Sequence, residues 1–332
     1  GSNSQVSTHN GVFGAGFDLN NASYPGAIYF AQRSVLDGVE SFLSTVEQVE
    51  VHLSDNAATP DTFVIDSTYP QGTSQIFGGQ GDDVITVEAT PTGLHPDRLR
   101  RVDFINGPLL ISGESGSDTI RVNDSGDDNQ NTGTYTSTSV TGLDMPSTGS
   151  VTFNSAEAIE ILLGAQNDTF YVPATSVIPG GTSAAAVTLS TGGGEDTVYV
   201  GTIAGQESAG SLNGFLANLL VVGEGPEAGD LLFLNDQSNT TSRTWTVSND
   251  TTTDEFDTTT VAISGTTATL QYRRIETVVV NAGQVADTIN LHGTHREQDI
   301  SGGHSSTFAI NSGPGNDTVN VGQPVTGGFS LD

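Results

Sequence analysis

A short glycine-rich corner, followed by an aspartate and an apolar strand, recurs through the sequence and limits the folds that the chain can adopt. The pattern is clearest in "FGGQGDDVITV" from Phe77, "TGGGEDTVYV" from Thr191 and "SGPGNDTVNV" from Ser312, with looser copies at Ser112 and Leu163. Residues on both sides of each corner alternate between apolar and polar, which is typical of short β-strands. Glycine adopts positive φ in a tight corner without steric cost. The sequence therefore predicts an all-β chain built from strand–corner–strand segments.

The spacing of the corners indicates a longer repeat. The aspartate after the corner occurs at Asp61, Asp83, Asp118, Asp168, Asp196, Asp230, Asp287 and Asp317. Successive spacings are 22, 35, 50, 28, 34, 57 and 30 residues, so that a short–medium–long order occurs twice. The distance from the first aspartate to the fourth is 107 residues, and from the fourth to the seventh it is 119. These distances indicate a repeat unit of roughly 110 to 120 residues.

Other segments keep the same phase and set the unit boundaries. "VEQVEVHL", "AEAIEILL" and "RRIETVVV" each precede the first corner of a unit. We divide the chain into an N-terminal cap or partial repeat (1–45), repeat unit 1 (46–155), repeat unit 2 (156–272) and a partial repeat unit 3 (273–332). A helical pattern is visible only from Ser34 to Glu50, which we interpret as a short capping helix.

A strand, a corner and a strand at intervals of 22 to 35 residues is what one turn of a parallel β-helix, or β-solenoid, requires. The two long intervals, of 50 and 57 residues, contain sequences typical of β-hairpins. They are "TGTYTSTSVTG" with "GSVTFNS" in the first and "RTWTVSND" with "TTVAISGTTATLQYR" in the second. We predict that they form β-hairpin insertions that project from one side of the solenoid. The alternative is a row of tandem β-sandwich repeats, which would leave three corners in each unit unexplained.

Charge and composition exclude several classes of function. The chain has 39 acidic residues against 9 basic ones, and its formal net charge is −30. Such a charge repels nucleic acid and attracts cations, so we expect no nucleic-acid partner. There is no cysteine, which excludes disulfides and thiolate metal sites. No apolar run is long enough to span a bilayer, and we expect no membrane insertion.

Residues 78–86, "GGQGDDVIT", fit the nonapeptide G-G-x-G-x-D-x-U-x. Here the chain resembles the haemolysin-type (RTX) calcium-binding repeats of large, repetitive, secreted or surface proteins. The resemblance implies bound Ca²⁺ at the corners, with Asp82, Asp83, Asp118, Asp168, Asp196 and Asp317 as metal ligands. The sequence departs from that family because its nonapeptides stand singly, whereas RTX arrays run one nonapeptide after another.

Two roles are open to the corner aspartates. If the corners lie over each other in one column, their carboxylates share a single ridge and repel one another unless a cation intervenes. Calcium takes six to eight oxygen ligands, and glycine corners expose carbonyl oxygens. Alternatively, each aspartate accepts backbone N–H hydrogen bonds and holds the bend without metal.

The segment "NDSGDDNQN" places Asp124, Asp127 and Asp128 at a spacing loosely like that of a calcium loop. It lacks the terminal glutamate and the helices of an EF-hand, so we interpret it as a solvated acidic loop. Aromatic residues outside the corners could stack on sugars, but packing within the sheets is their ordinary role. They are Tyr24, Tyr29, Phe30, Tyr135, Trp245 and Tyr272.

These features favour a non-enzymatic, extracellular or cell-surface segment with a structural or adhesin-type role, stabilised by calcium. Its expected partners are calcium ions and either a polysaccharide or another surface protein. The first alternative is a module that binds a glycan or a mineral surface. The second is a polysaccharide lyase or hydrolase on a β-helix, for which Arg98, Arg100, Arg101, Arg273 and Arg274 are the candidate bases; pairing with carboxylates of neighbouring turns is their other role.

Overall fold

The chain folds into two long β-sheets that pack face to face. The computed structural model describes residues 5–9, 33–36, 39–42, 48–53, 60–89, 99–175, 186–223, 229–250, 258–266, 268–294 and 307–322. Nearly all regular structure in these ranges is β-strand, and most neighbouring strands are parallel. The predicted all-β solenoid is therefore confirmed.

Sheet 1 contains twelve strands. In spatial order they are β1 (Gln5–His9), β4 (Gln48–His52), β6 (Thr73–Phe77), β8 (Pro108–Ser112), β12 (Ser150–Asn154), β11 (Ser139–Gly142), β10 (Thr132–Thr136), β14 (Thr169–Val172), β16 (Thr197–Val200), β18 (Leu231–Asn235), β22 (Thr277–Asn281) and β24 (Thr307–Asn311). Strand β1 pairs antiparallel with β4 at the N-terminal end of the sheet.

Sheet 2 contains eleven strands. From the same end they are β5 (Thr62–Ile65), β7 (Val84–Val87), β9 (Thr119–Asn123), β13 (Ala158–Leu162), β15 (Ala186–Ser190), β17 (Leu219–Val222), β21 (Thr269–Arg273), β20 (Thr258–Ile263), β19 (Thr244–Asp250), β23 (Thr288–Leu291) and β25 (Thr318–Val321).

Two small elements complete the described structure. Residues Leu212–Gly214 form a single turn of 3₁₀ helix. Strands β2 (Arg33–Leu36) and β3 (Val39–Phe42) pair antiparallel as a separate two-stranded sheet. The predicted capping helix from Ser34 is therefore wrong. The sequence offered the correct signal, because Asp-Gly between two short runs is typical of a two-residue hairpin.

The backbone coils because consecutive strands alternate between the two sheets. Strand β4 lies in sheet 1, β5 in sheet 2, β6 in sheet 1 and β7 in sheet 2. Within each sheet, strands from successive turns pair in parallel, as β6 does with β8 and β7 with β9. This arrangement is a two-sheet solenoid, and the strands lie about 4.8 Å apart along its axis.

The two predicted insertions form strands, but they do not project from the solenoid. Strands β10 to β12 lie inside sheet 1, where β12 pairs with β8 and β10 pairs with β14. Strands β19 to β21 lie inside sheet 2 in the same way. The predicted position was wrong because each insertion has one continuous apolar face. Tyr135 and Val140 on the first and Trp245 and Val261 on the second are fully buried, and only the opposite sheet covers such a face.

Successive repeat units exchange the two sheets. Nine strands, β4 to β12, follow the first boundary, and nine more, β13 to β21, follow the second, ending at Arg273. The first strand of unit 1 lies in sheet 1, that of unit 2 in sheet 2 and that of unit 3 in sheet 1. The exchange arises because each complete unit visits the sheets an odd number of times: six strands alternate, and the last three lie together in one sheet as a seventh visit. The next unit therefore begins in the other sheet.

The core lies between the sheets and consists of stacked aliphatic rows. One row in sheet 2 follows the strand register and is at most 2% exposed. Its members are Ile85, Ile120, Ile159, Val187, Leu219 and Leu270. Each buried aliphatic side chain contributes about 1.5–3 kcal/mol relative to exposure, so that the rows stabilise the coil along its length.

Substitution of Trp245 tests the position of the second insertion. Trp245 is 0% exposed, and its neighbours in register are Ile263 and Ile289. We expect Trp245→Ala to lower the free energy of unfolding by about 3–5 kcal/mol, measured by urea denaturation. The control is Leu99→Ala, since Leu99 is 46% exposed and its loss should change stability by only about 0.5 kcal/mol. Equal effects of the two substitutions would contradict the buried insertion.

Candidate functional site: the corner aspartates and an acidic cluster

The corners use glycine for two different reasons. Gly81, Gly116, Gly194 and Gly315 have φ between 117° and 146°, a region that residues with a side chain rarely adopt. The first glycine of a corner is instead required by a close approach between turns. A Cβ at Gly113 would lie 2.0 Å from the Ser155 carbonyl oxygen and 2.5 Å from Asp118 Oδ2. Glycine thus allows the backbone and the corner carboxylate to pack together.

From Asp83 onward, each corner carboxylate accepts the backbone N–H of the equivalent residue one level away. The distances are 2.7–3.0 Å, and the links form three ladders. Written from donor to acceptor, the first is Asp61–Asp83–Asp118–Glu157, the second is Asn131–Asp168–Asp196–Asp230–Glu276 and the third is Arg243–Asp287–Asp317.

The single ridge predicted for the corner aspartates is wrong. Asp83 and Asp118 are direct neighbours, but they begin strands of sheet 2, whereas Asp168 and Asp196 begin strands of sheet 1. Asp317 belongs to the third ladder, again in sheet 2. The cause is the exchange of sheets between units, which moves the corners from one side of the solenoid to the other.

Asp82 is the one predicted metal residue that lies outside the ladders. Its side chain is exposed, and its Oδ1 accepts the N–H of Ser117 at 2.8 Å. Asn167 Oδ1 does the same for the N–H of Glu195 at 3.0 Å. An acidic or amide side chain before the buried aspartate therefore ties neighbouring corners together at the surface.

The structure also includes ladder residues that the corner pattern did not identify. Glu157 and Glu276 end the first two ladders, and their carboxylates reach the N–H groups of Asp118 and Asp230. Both precede a strand in the phase-keeping segments "AEAIEILL" and "RRIETVVV". That shared position was the available signal, but it lacks the glycine corner by which the other members were recognised.

Burial raises the pKa of five ladder carboxylates. The pKa of Asp118 rises to about 6, that of Asp230 to about 7 and that of Asp196 to about 8. The pKa values of Asp83 and Asp168 rise for the same reason. Neighbouring carboxylates raise each pKa further, while the accepted N–H hydrogen bonds lower it. Asp118, Asp230 and Asp196 therefore hold a proton more readily near neutral pH than an exposed aspartate does.

The second oxygen of the ladder carboxylates is used unevenly. Asp168 Oδ2 accepts the N–H of Gly164 at 3.1 Å, and Asp230 Oδ2 accepts the hydroxyl of Thr191 at 3.1 Å. Oδ2 of Asp83, Asp118 and Asp196 is buried and has no hydrogen-bond partner in the described part of the chain. These three oxygens remain available to a proton or a cation.

A separate acidic cluster lies just beyond the end of β9. Oxygens of Asp103, Asp124 and Asp127 lie within 4.8 Å of one another. Asp124 and Asp127 are 0% exposed, so the predicted solvated loop is wrong for them, although Asp128 is exposed. Burial is also the main cause that raises the pKa of Asp124 to about 8, followed by the charges of Asp127, Asp103 and Asp168.

Two polar side chains hold this cluster together. Arg101 lies 2.9 Å from Asp127 Oδ1 and 3.7 Å from Asp103 Oδ2. Asn131 Nδ2 donates to Asp127 Oδ2 at 2.7 Å and to Asp124 Oδ2 at 3.1 Å. Asp124 Oδ1 accepts the N–H of Val102 at 3.0 Å. The sequence hid this arrangement because Arg101, Val102 and Asp103 come from a stretch about twenty residues before the segment that holds Asp124, Asp127 and Asn131.

The aromatic candidates that the structure describes lie in the core, and one of the candidate arginines is paired with a carboxylate. Tyr135, Trp245 and Tyr272 are 0% exposed and pack in the core, while Tyr24, Tyr29 and Phe30 lie outside the described residues. Of the arginines considered as bases, Arg101 pairs with Asp127, and Arg98 lies outside the described residues. Tyr171, Tyr199 and Phe233 form an outer stack with ring centroids 5.2 and 4.9 Å apart. Their ring faces therefore meet each other.

Comparison with protein-family models, with curated proteins and with solved structures found no match. The resemblance to RTX repeats thus stays a prediction from the nonapeptide alone. Across the described residues, no helix combines the length and the apolar character that crossing a membrane requires.

Removal of one ladder carboxylate tests the N–H links. Asp196→Ala leaves the buried N–H of Asp168 without its acceptor, and we expect a loss of about 1–3 kcal/mol in the free energy of unfolding at pH 5. Asp196→Asn keeps an oxygen at the same place and should cost less than half as much. The exposed control Asp82→Ala should change stability by about 0.5 kcal/mol or less. Urea denaturation measures all three, and equal losses for Ala and Asn would contradict the ladder.

The raised pKa values predict stabilisation by acid. A carboxyl group with a raised pKa in the folded state stabilises that state fully below its unfolded pKa of about 3.9. This stability is lost as the pH rises through the folded values, about 6 for Asp118 to about 8 for Asp196. In a buffer that contains a chelator, we expect Tm in scanning calorimetry to fall between pH 5 and pH 9. Asp196→Asn should weaken the dependence, and a Tm that rises over this range would contradict it.

Proposed function

We propose that this chain is a non-enzymatic structural segment of a secreted or cell-surface protein, a solenoid that spaces or displays neighbouring parts. The observation that supports this role is the continuity of the fold. From β4 and β5 onward, each sheet stacks eleven strands, and hydrogen-bonded ladders run along the strand starts. Residues that recur at equivalent positions in successive turns build a continuous solenoid. Catalysis, in contrast, requires one specific arrangement of side chains that is not repeated from turn to turn.

Calcium stabilisation is the second part of the proposal. The net charge of −30 and the buried Oδ2 atoms of Asp83, Asp118 and Asp196 support a need for cations. The carboxylates of Asp83, Asp118 and Asp196 each already use one oxygen for an N–H, so these corners offer few of the six to eight oxygens that calcium takes. A corner would need carbonyl oxygens and water as its other ligands.

The surroundings of the candidate residues do not favour the two alternatives. Trp245 is in the core and does not stack on a sugar without unfolding of the insertion. Arg101 is held by Asp127, which lies 2.9 Å from its guanidinium. Of the described candidates, Trp245 and Arg101 therefore support neither a glycan-binding nor a lyase role.

Location and reactivity test the structural role. Antibodies raised against the chain should label intact cells of the organism that makes it, and labelling only after permeabilisation would contradict an extracellular location. Incubation with neutral and acidic polysaccharides should release neither reducing ends nor unsaturated products. Release of either would replace the structural role with an enzymatic one, and retention of the protein on a polysaccharide without release would support the binding alternative.

A further inference from the structure

Repeat unit 2 contains a second copy of the pocket that holds the acidic cluster. The N–H of Val102 binds Asp124 Oδ1, and in the same way the N–H of Leu212 binds Asp236 Oδ1. Backbone bonds repeat as well, since Asp127 N–H reaches Asp124 O and Asn239 N–H reaches Asp236 O. The two pockets therefore have matching backbones, and their side chains can be compared position by position.

The comparison shows a difference in charge. In order of position, the unit 1 pocket has Arg101, Asp103, Asp124, Asp127 and Asn131, and the unit 2 pocket has Ser211, Asn213, Asp236, Asn239 and Arg243. Three carboxylates and one guanidinium leave the first pocket at −2 when all are ionised. One carboxylate and one guanidinium leave the second at zero. The same fold thus balances its buried charge in one copy and lacks two positive charges in the other.

Arg243 shows how the balanced pocket is filled. Its side chain is 4% exposed, and Nε lies 2.7 Å from Asp236 Oδ2. Its other nitrogens donate to Asn213 Oδ1 at 2.6 Å and to the Ser264 carbonyl oxygen at 2.7 Å. A cationic group therefore occupies the centre of this pocket and contacts the residues equivalent to Asp103 and Asp124.

Among the described residues of the unit 1 pocket, none places a cationic group at the centre, and two of its buried oxygens have no hydrogen-bond partner. Asn131 is 2% exposed and reaches the cluster through Nδ2, while its Oδ1 has no hydrogen-bond partner in the described structure. Asp103 Oδ1 is also buried without a partner there. Rotation of the Asn131 carboxamide by half a turn would place its oxygen beside Asp124 and Asp127. Buried polar atoms without a partner are costly unless a ligand contacts them.

We propose that Asp103, Asp124, Asp127 and Asn131 bind one divalent cation, and that this cation is calcium. The available donors are all oxygens, which suit hard cations, and ligand atoms up to 4.8 Å apart fit a shell of radius 2.3–2.6 Å. A charge of +2 balances the pocket as Arg243 balances its copy. Arg101 remains on Asp127 Oδ1 at the rim, where it also faces Asp128 at 3.6 Å. This site is distinct from the corners and does not depend on the structural role.

Calorimetric titration of the purified chain with calcium chloride tests the site. The wild type should bind calcium at this pocket, and Tm should rise by about 5 °C at a concentration 100-fold above Kd. The variant Arg101→Ser, Asp103→Asn, Asp127→Asn, Asn131→Arg reproduces the unit 2 pocket. It should lose this binding and, with chelator present, melt no lower than the wild type. Asp128→Asn, which removes an exposed carboxylate, should retain calcium affinity within about threefold.

Each outcome decides the proposal. Calcium binding that persists undiminished in the exchanged variant would overturn it and assign the ion to the corners. A wild type that binds no calcium would overturn it as well and leave a proton on the cluster as the occupant. If the exchanged variant does not fold, Asp103→Asn serves instead, since Asp103 is only half-buried. This substitution should weaken binding at least about tenfold, and unchanged affinity would refute the site.

Discussion

The hydrogen bond from a backbone N–H to the carboxylate one level away is the interaction on which the solenoid depends. A parallel sheet pairs strands along their length, but it does not fix where each strand starts. The link from Asp168 to Asp196, repeated from Asp196 to Asp230, sets that start to within one hydrogen-bond length. It requires the carboxylate to be buried against the corner, and glycines such as Gly113 leave the necessary space. The register of the strands, the glycines of the corners and the recurring aspartates thus all follow from this one hydrogen bond.

The solenoid could be predicted from the sequence, but the placement of its parts could not. Period-2 patterning and glycine corners identify strands such as β16 and β25 because both signals are local. The sequences of the two insertions, around Tyr135 and Trp245, show that each hairpin has one apolar face. They do not show which surface of the protein covers that face. Sheet membership depends on whether a unit visits the two sheets an odd or an even number of times, and this becomes clear only when it is known that all three strands of an insertion share one sheet.

The site could be predicted less well, for reasons of distance and chemistry. The sequence left open whether Asp83 and Asp118 bind metal or accept N–H groups, since both roles suit an aspartate after a corner. The burial of Asp124 and Asp127 was missed because polar loops are normally exposed, and because Arg101, which pairs with Asp127, comes from another part of unit 1. The one available clue was the recurrence of Asn-Asp at 123–124 and 235–236, which marks equivalent pockets.

The exchange of sheets between units gives the solenoid a rule of parity. Because the backbone keeps its handedness, exchanging the sheets is equivalent to a half-turn about the long axis. A loop at a fixed place in every unit therefore faces opposite directions in odd and even units, and a chain of such units displays two opposed rows. The inserted strands also alternate between the sheets from unit to unit, since β10 to β12 add three strands to sheet 1 and β19 to β21 add three strands to sheet 2. Duplication of a single unit would rotate all later units by a half-turn about the long axis, so that their loops face the opposite direction. Duplication of a pair of units would leave the direction of the later loops unchanged.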